Sequence, residues 1–422
     1  MSYQRILFSS LFLLLAVQFC KAATDKYRLI IRDDPAYNMT IGWNQISGTD
    51  ARVYYDSVDH GVDTEAYANS QSPDRVVSYK SMNNHFVRLQ GLKPDRAYYF
   101  VIADSEGRSQ RFWFKTLPDS PDKRLSIVAG GDSRRNNAQV GPHEPRISSN
   151  IMVTKLRPHF VAFGGDYTNN NTDGQWISWF DDWQYTIGDD GRMFPILPTR
   201  GNHERSNEDV VNLFDVASPD VVYAMNFAGN LVRAYTLNTL NPIEGKQTDW
   251  LRKDLAENHD KVTWRLAQYH HPIAPHQRSK SYKVLEYTHW APLFYEYGMD
   301  LVIECDSHVA KVTWPVKPSE SEDADAGFIR DDENGTIYTG EGSWGLTRVA
   351  NVSYDWTRRK GSFNQVKWIF IDQEKIEFRT VKTENASNLT AVNDDDRFDL
   401  PVGLDIWEVE KDVKEVVINP RK

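Results

Sequence analysis

The sequence predicts an all-β sandwich followed by an α/β layered domain. Three observations carry this. Short alternating strands fill residues 26–116, a proline-flanked break covers 117–123, and from 125 onward buried β runs alternate with helical periods. At 422 residues the chain exceeds one ordinary core, so two or more domains are expected. With 40% hydrophobic residues, 13 Trp and 20 Tyr, it carries far more aromatic surface than a disordered chain would.

Residues 1–22 read as a signal peptide: Arg5, an apolar run over 6–20, then the small residues Ala22 and Ala23. The run is shorter than the ~20 apolar residues of a membrane-spanning helix. The mature chain is therefore expected to be secreted or periplasmic, without a transmembrane segment. Cleavage removes Arg5 and Lys21 and no acid from a chain whose net charge is already −10. Such a chain repels nucleic acid and anionic membranes, and no nucleic-acid-binding patch is expected. Cys20 leaves with the leader, and Cys305 alone cannot form an internal disulfide.

Between 26 and 116, strands are expected at 39–43, 53–55, 86–89, 98–102 and 112–114. Leu92, Pro94 and Tyr98 have the spacing of a tyrosine corner, in which the phenol bonds back to upstream backbone. This points to an immunoglobulin-like or fibronectin type III-like sandwich. Pro118 and Pro121 stiffen the segment 117–123, read as a linker.

The second domain is expected over 124–380, with strands at 126–129, 160–163, 194–197, 264–269 and 301–303. Helices are expected at 148–156, 175–184, 247–257 and 284–297. Trp176, Trp179, Phe180 and Trp183 form a stripe one helix face wide, the pattern of core packing. The polar stretch 317–335 reads as a solvated loop. Residues 381–422 form a C-terminal extension whose Leu404, Ile406 and Trp407 are expected to pack on the body.

Several strand candidates end in Asp, Asn or His: Gly131-Asp132, Gly165-Asp166, Gly201-Asn202-His203, His270-His271-Pro272 and Asp306-Ser307-His308. Strand C-termini in open α/β folds line one crevice, so these groups converge there without being sequence neighbours. Oxygen and nitrogen donors in such number suit a pair of metal ions.

In order and spacing these motifs resemble those of the calcineurin-like metallophosphoesterases, and within them the purple acid phosphatases, which also carry a fibronectin-like domain in front. The resemblance implies an αββα layering for the second domain and two metal ions per chain. By position, Asp132 and His308 would hold one ion, Asn202 and His270 the other, and Asp166 would bridge them. Asp306 stands where a second histidine is usual and would still ligate, favouring Mn, Mg or Fe(II) over softer ions, although the pair of divalent ions is left open among Mn, Zn, Fe and Mg. His203 would protonate the leaving group or bond the transition-state oxygens. His271 would be a supporting residue.

Asn169 takes the position of the family's tyrosine, so ferric iron and a purple colour are not expected. Tyr167 lies on the same face of an extended strand end, although the motif spacing argues against it as a substitute. Arg134, where related proteins have a third ligand, cannot bind a metal. With Arg135 it would instead offer a guanidinium fork to the substrate phosphate, and Asn169 and His276 are further candidates there. The resemblance implies a phosphomonoesterase acting on a small phosphorylated substrate. A phosphodiesterase or nucleotide hydrolase of the same superfamily, and a binding protein with a degenerate metal site, stand as alternatives. Oligomeric state is left open.

Overall fold

The computed structural model describes residues 23–134 and 144–421. The leader read at 1–22, and Arg135, lie outside the described residues.

The two domains are joined through one sheet. Among the described residues, a ten-stranded sheet runs in the order Val416–Ile418, Ile376–Lys382, Gln365–Ile371, Leu125–Gly130, Phe160–Phe163, Ile196–Pro198, Thr24–Ile30, Met39–Gln45, Met82–Leu89, Arg75–Tyr79. The seam is parallel: Ile30 pairs with Ile196, and the Ile31 N–H donates to the Ile196 carbonyl at 2.9 Å. Behind the seam, Arg28 is fully buried and donates to the Leu213 carbonyl and to Asn84 Oδ1. A buried charge can remain there because its donors are met within the fold.

The sandwich core contains Trp43, Val53, Phe100, Phe112 and Phe114, each fully buried. Its corner forms as expected, with the Tyr98 hydroxyl accepting the Lys93 N–H at 2.9 Å. The 117–123 segment is not a free linker: Leu117 is buried and its N–H bonds to the Pro35 carbonyl.

A second sheet of seven strands faces the first, and alternation along each strand sorts the cores into layers. Ile127, Ala129, Leu266 and Ile303 pack between the sheets. Val128, Val161 and Phe163 point the other way, onto helices Pro145–Leu156 and Asp173–Trp183. Ala267, Tyr269 and Val302 meet Lys246–Asn258 and Ala291–Glu296 across the second sheet's outer face. This is the αββα layering. The Trp176, Trp179, Phe180 and Trp183 stripe lies wholly in the helix-side core.

Three expectations change. The helix read over 284–297 is two, Val284–His289 and Ala291–Glu296, meeting at Trp290, where Pro292 in the first turn of the second helix lacks an N–H to continue the first. Residues 317–335 are not a plain solvated loop, because Val316–Pro318 pairs with Phe328–Arg330 and Phe328 is buried. The hairpin Tyr223–Phe227 and Val232–Thr236, with strands Gln365–Ile371 and Ile376–Lys382, adds sheet not read from the sequence. The C-terminal extension packs as expected at Leu404 and Trp407, and Ile406 bridges Val381. No helix among the described residues is long and apolar enough to cross a membrane.

Candidate metal centre

Each candidate donor follows the C-terminal end of a strand. Asp132 comes after Leu125–Gly130, Asp166 after Phe160–Phe163, Asn202 after Ile196–Pro198, His270 after Trp264–Gln268, and Asp306 and His308 after Leu301–Glu304. Asp132, Asp166, Asp306 and His308 all have positive φ, between 57° and 68°. Left-handed backbone costs a non-glycine residue ~1 kcal/mol or more, and such residues gather where geometry is held for function.

Glycines and one cysteine set the spacing beneath them. A Cβ on Gly164 or Gly131 would lie 2.2 or 2.7 Å from Cys305 Sγ. Cys305 therefore fits only because two glycines face it. Gly342, at φ +58°, passes so close that a Cβ would fall 1.7 Å from Asp132 Oδ2.

The donors form two groups, Asp132, Asp166 and His308 in one and His270, His271 and Asp306 in the other. In the second, His270 Nδ1 donates to the Gly164 carbonyl at 2.8 Å, which fixes the ring. Its Nε2 then faces only oxygens: Asn202 Oδ1 at 3.0 Å, Asp166 Oδ1 at 3.3 Å and Asp306 Oδ1 at 3.6 Å. A lone pair aimed at three acceptors is unfavourable unless a cation stands among them, either a proton or a metal ion. Burial opposes charging the ring, but Asp166, Asp306 and Asp132 outweigh it and raise the His270 pKa well above the ordinary value. His271 is pushed down to about 3 by burial and the neighbouring His270 charge.

The first group has orphaned atoms of its own: Asp132 Oδ1 and Asp166 Oδ2 are buried without a hydrogen-bond partner. Asp132 is pushed up to about 8 by burial, reinforced by Asp166 and Asp306 against the pull of His270 and Arg134. Carboxylates crowded to this degree call for positive charge among them. Asp166 moves the other way: burial would raise it, but His270, His203 and Arg134 hold it below the usual range. The donor chemistry fits metal ions.

Arg134 enters this first group. Its Nη2 lies 2.6 Å from His308 Nε2 and its Nε 3.6 Å from Asp166 Oδ2, while Nη1 touches His203 Nε2. Asn169 Oδ1 is 3.5 Å from Nη1, and the Asn169 carbonyl accepts from His203 Nδ1. Burial and the Arg134 charge keep the His308 pKa well below that of a free imidazole.

One reading is corrected. His276 is fully buried, with Nδ1 on Glu341 Oε1 at 3.0 Å and Nε2 on Thr357 Oγ1 at 2.8 Å. Both nitrogens are committed, so it does not reach a substrate phosphate. Tyr167 points into the aromatic core and bonds the Thr199 carbonyl, so, in line with the motif spacing, it is no substitute ligand.

Three contributors carried no role in the sequence analysis. Glu204, the last residue of Gly-Asn-His-Glu, accepts the N–H groups of Asp166, Tyr167 and Gly201 at 2.8–3.0 Å. The motif letter was its only signal. Lys280 bonds Asp306 Oδ1 at 2.5 Å and offsets the carboxylate that replaces histidine. The Glu341 carbonyl accepts the His308 N–H while its carboxylate binds His276 and Lys311. Nothing local marks the last two.

Comparison with known proteins agrees with this architecture. Residues 25–116 match the model of the purple acid phosphatase N-terminal domain, and residues 145–310 match that of the calcineurin-like phosphoesterases. The chain thus carries a purple acid phosphatase N-terminal domain followed by a calcineurin-like phosphoesterase domain.

Purple acid phosphatase 15 of Arabidopsis thaliana is 24% identical over 298 residues, covering 61% of this chain and 55% of that protein. Acid phosphatase type 7 of Danio rerio is 22% identical over 312 residues, covering 66% and 69%. The chain thus spans little more than half the length of the plant relative. A purple acid phosphatase from yellow lupin seeds superposes with a TM-score of 0.70 at 14% identity, over 95% of this chain and 75% of that one. PhoD superposes with a TM-score of 0.67 at 9% identity, over 95% and 91%.

Proposed function

We propose that the chain is a metal-dependent phosphoric ester hydrolase that prefers small phosphomonoesters. The observation that carries this is His270, whose Nε2 faces three oxygen donors while Nδ1 is held by the Gly164 carbonyl. The family architecture implies two ions. The donor set of Asp166, Asn202, His270 and Asp306 favours Mn, Mg or Fe(II), since carboxylate and amide oxygens outnumber the single imidazole. A bound ion would supply Lewis acidity, polarising phosphoryl oxygens and activating water.

The chain's own groups supply the rest. His203 keeps a partly exposed ring beside Asp166 Oδ2, at 3.8 Å, with Nε2 against Arg134 Nη1, so ring and guanidinium would meet a phosphate together. Its ring is oriented by the Asn169 carbonyl at Nδ1, and its N–H donates to Asp166 Oδ1 at 2.9 Å. Arg134 and Asn169 offer donors to the phosphate. Export belongs to this reading, on the leader-like composition of residues 1–22.

The test is hydrolysis of p-nitrophenyl phosphate and bis(p-nitrophenyl) phosphate by metal-stripped protein reloaded with Mn, Zn, Fe or Mg, beside His270→Ala. Metal-restored activity, faster on the monoester and lost in the variant, is expected. A faster diester rate would move the reading to a phosphodiesterase. Neither activity nor bound metal under any loading would move it to a binding protein.

A further inference from the structure

We infer that the guanidinium of Arg134 takes the place of one of the two ions the family architecture implies, so that the chain holds a single metal ion beside a permanent organic cation. This rests on the proposed metal-dependent function and deepens it.

The guanidinium lies among the donors an ion in the first group would need. His308 Nε2 has one lone pair and, at 2.6 Å, gives it to Arg134 Nη2. Accepting there, His308 has no lone pair left for an ion. Asp166 Oδ2, otherwise orphaned, has Arg134 Nε at 3.6 Å. His203 Nε2 and Asn169 Oδ1 cap the Nη1 side. The arginine side chain is 7% exposed, so the group is buried in the site and is not a surface cation leaning inward.

Charge points the same way. Among the described residues, the candidate donor carboxylates Asp132, Asp166 and Asp306 already have two cations beside them, Arg134 and Lys280. A single divalent ion completes the charge those two leave unmet. A second would crowd four cationic centres around three carboxylates in a site where burial weakens screening. The second donor group is free of Arg134: among the described residues, His270 Nε2 and Asn202 Oδ1 have no side-chain cation on them, and Asp306 Oδ1, although bonded to Lys280, is a carboxylate oxygen with a further lone pair. From this position the guanidinium meets the phosphate oxygens that the missing ion would have polarised.

The test counts metal in the full chain. Stripped protein is loaded with excess Mn(II), desalted, and read by elemental analysis and electron paramagnetic resonance. Wild type is expected to hold one Mn(II) per chain with the spectrum of an isolated ion, and His270→Ala to hold none. R134A and R134H are expected to hold two, with the spectrum of an exchange-coupled pair. Two coupled ions in wild type, or one ion in a folded R134A and R134H, would overturn the inference and leave the metal-dependent reading standing. No metal in wild type would overturn both. The wild-type measurement needs no variant, so a misfolded mutant does not block the decision.

Discussion

Glu204 holds Asp166 by its backbone: one carboxylate oxygen accepts the Asp166 N–H at 2.9 Å and the Gly201 N–H at 2.8 Å. The other accepts Tyr167 at 3.0 Å. Two loops that carry candidate donors are thereby fastened to one fully buried side chain. The arrangement keeps Asp166 at φ +57° although the residue is not glycine.

Glu204→Ala would strand three buried N–H groups, each costing about 1–3 kcal/mol when unsatisfied. We expect a loss of at least about 3 kcal/mol in urea unfolding and a 10- to 100-fold weaker metal affinity, on the order seen for groups that support ligands. Unchanged stability and affinity would show that Glu204 holds nothing.

His203→Asn should separate chemistry from metal binding. Its ring touches Asp166 and Arg134 but belongs to neither donor group. We expect kcat to fall roughly 10²- to 10⁴-fold with metal content unchanged. Loss of metal from this variant would make His203 a ligand instead.

Trp179 links the aromatic core to the site, since its Nε1 donates to Ser133 Oγ at 2.8 Å, next to Asp132. Trp179→Ala should cost about 3–5 kcal/mol, the range for emptying a buried aromatic position. Trp179→Phe should recover most of that stability while leaving Ser133 without its donor. A full recovery of activity along with stability would mean the hydrogen bond is idle.

Acid should loosen the attachment of the C-terminal extension. Asp394 lies among Arg157, Arg192 and Arg397, which outweigh its burial and hold its pKa below the normal 3.8. His159, buried and accepting the Ser126 N–H, is held well below 6.5 by burial and then by Arg397 and Arg192. In both cases the unfolded chain binds the proton more readily, so stability rises with pH. The His159 contribution is present above 6.5 and fades as pH falls below it. That of Asp394 is lost only as pH falls below 3.8. Urea midpoints of wild type should be lower at pH 5.5 than at 7.5, and His159→Asn should narrow that gap, leaving the part owed to other histidines held low, His271 and His308 among them; an unchanged gap in the variant would exclude the His159 contribution.

Much of the site was legible because each donor follows a short buried β run, and a strand's end is a local property. Alternation in Ile127, Val128 and Ala129 marks a strand with both faces covered, and the polar residue after it marks the crevice. Lys280 and Glu341 were not legible. They reach the site across loops, and their neighbours in sequence say nothing of Asp306 or His308. His276 shows the converse, since a histidine between prolines and polar residues reads as loop surface until Tyr354, Trp356 and Glu341 close over it.

The sequence by itself determined the two-domain order, the layered α/β class, the candidate donor set and the fact that residue 134 is a cation unable to ligate. Those follow from periodicity, composition and side-chain chemistry, which travel with the chain. The tertiary structure alone decided where that cation sits, that Lys280 balances Asp306, and that the sandwich shares a sheet with the second domain at Ile30 and Ile196. Such relations depend on distances between segments far apart in sequence, and no local pattern encodes which lone pair a buried guanidinium will claim.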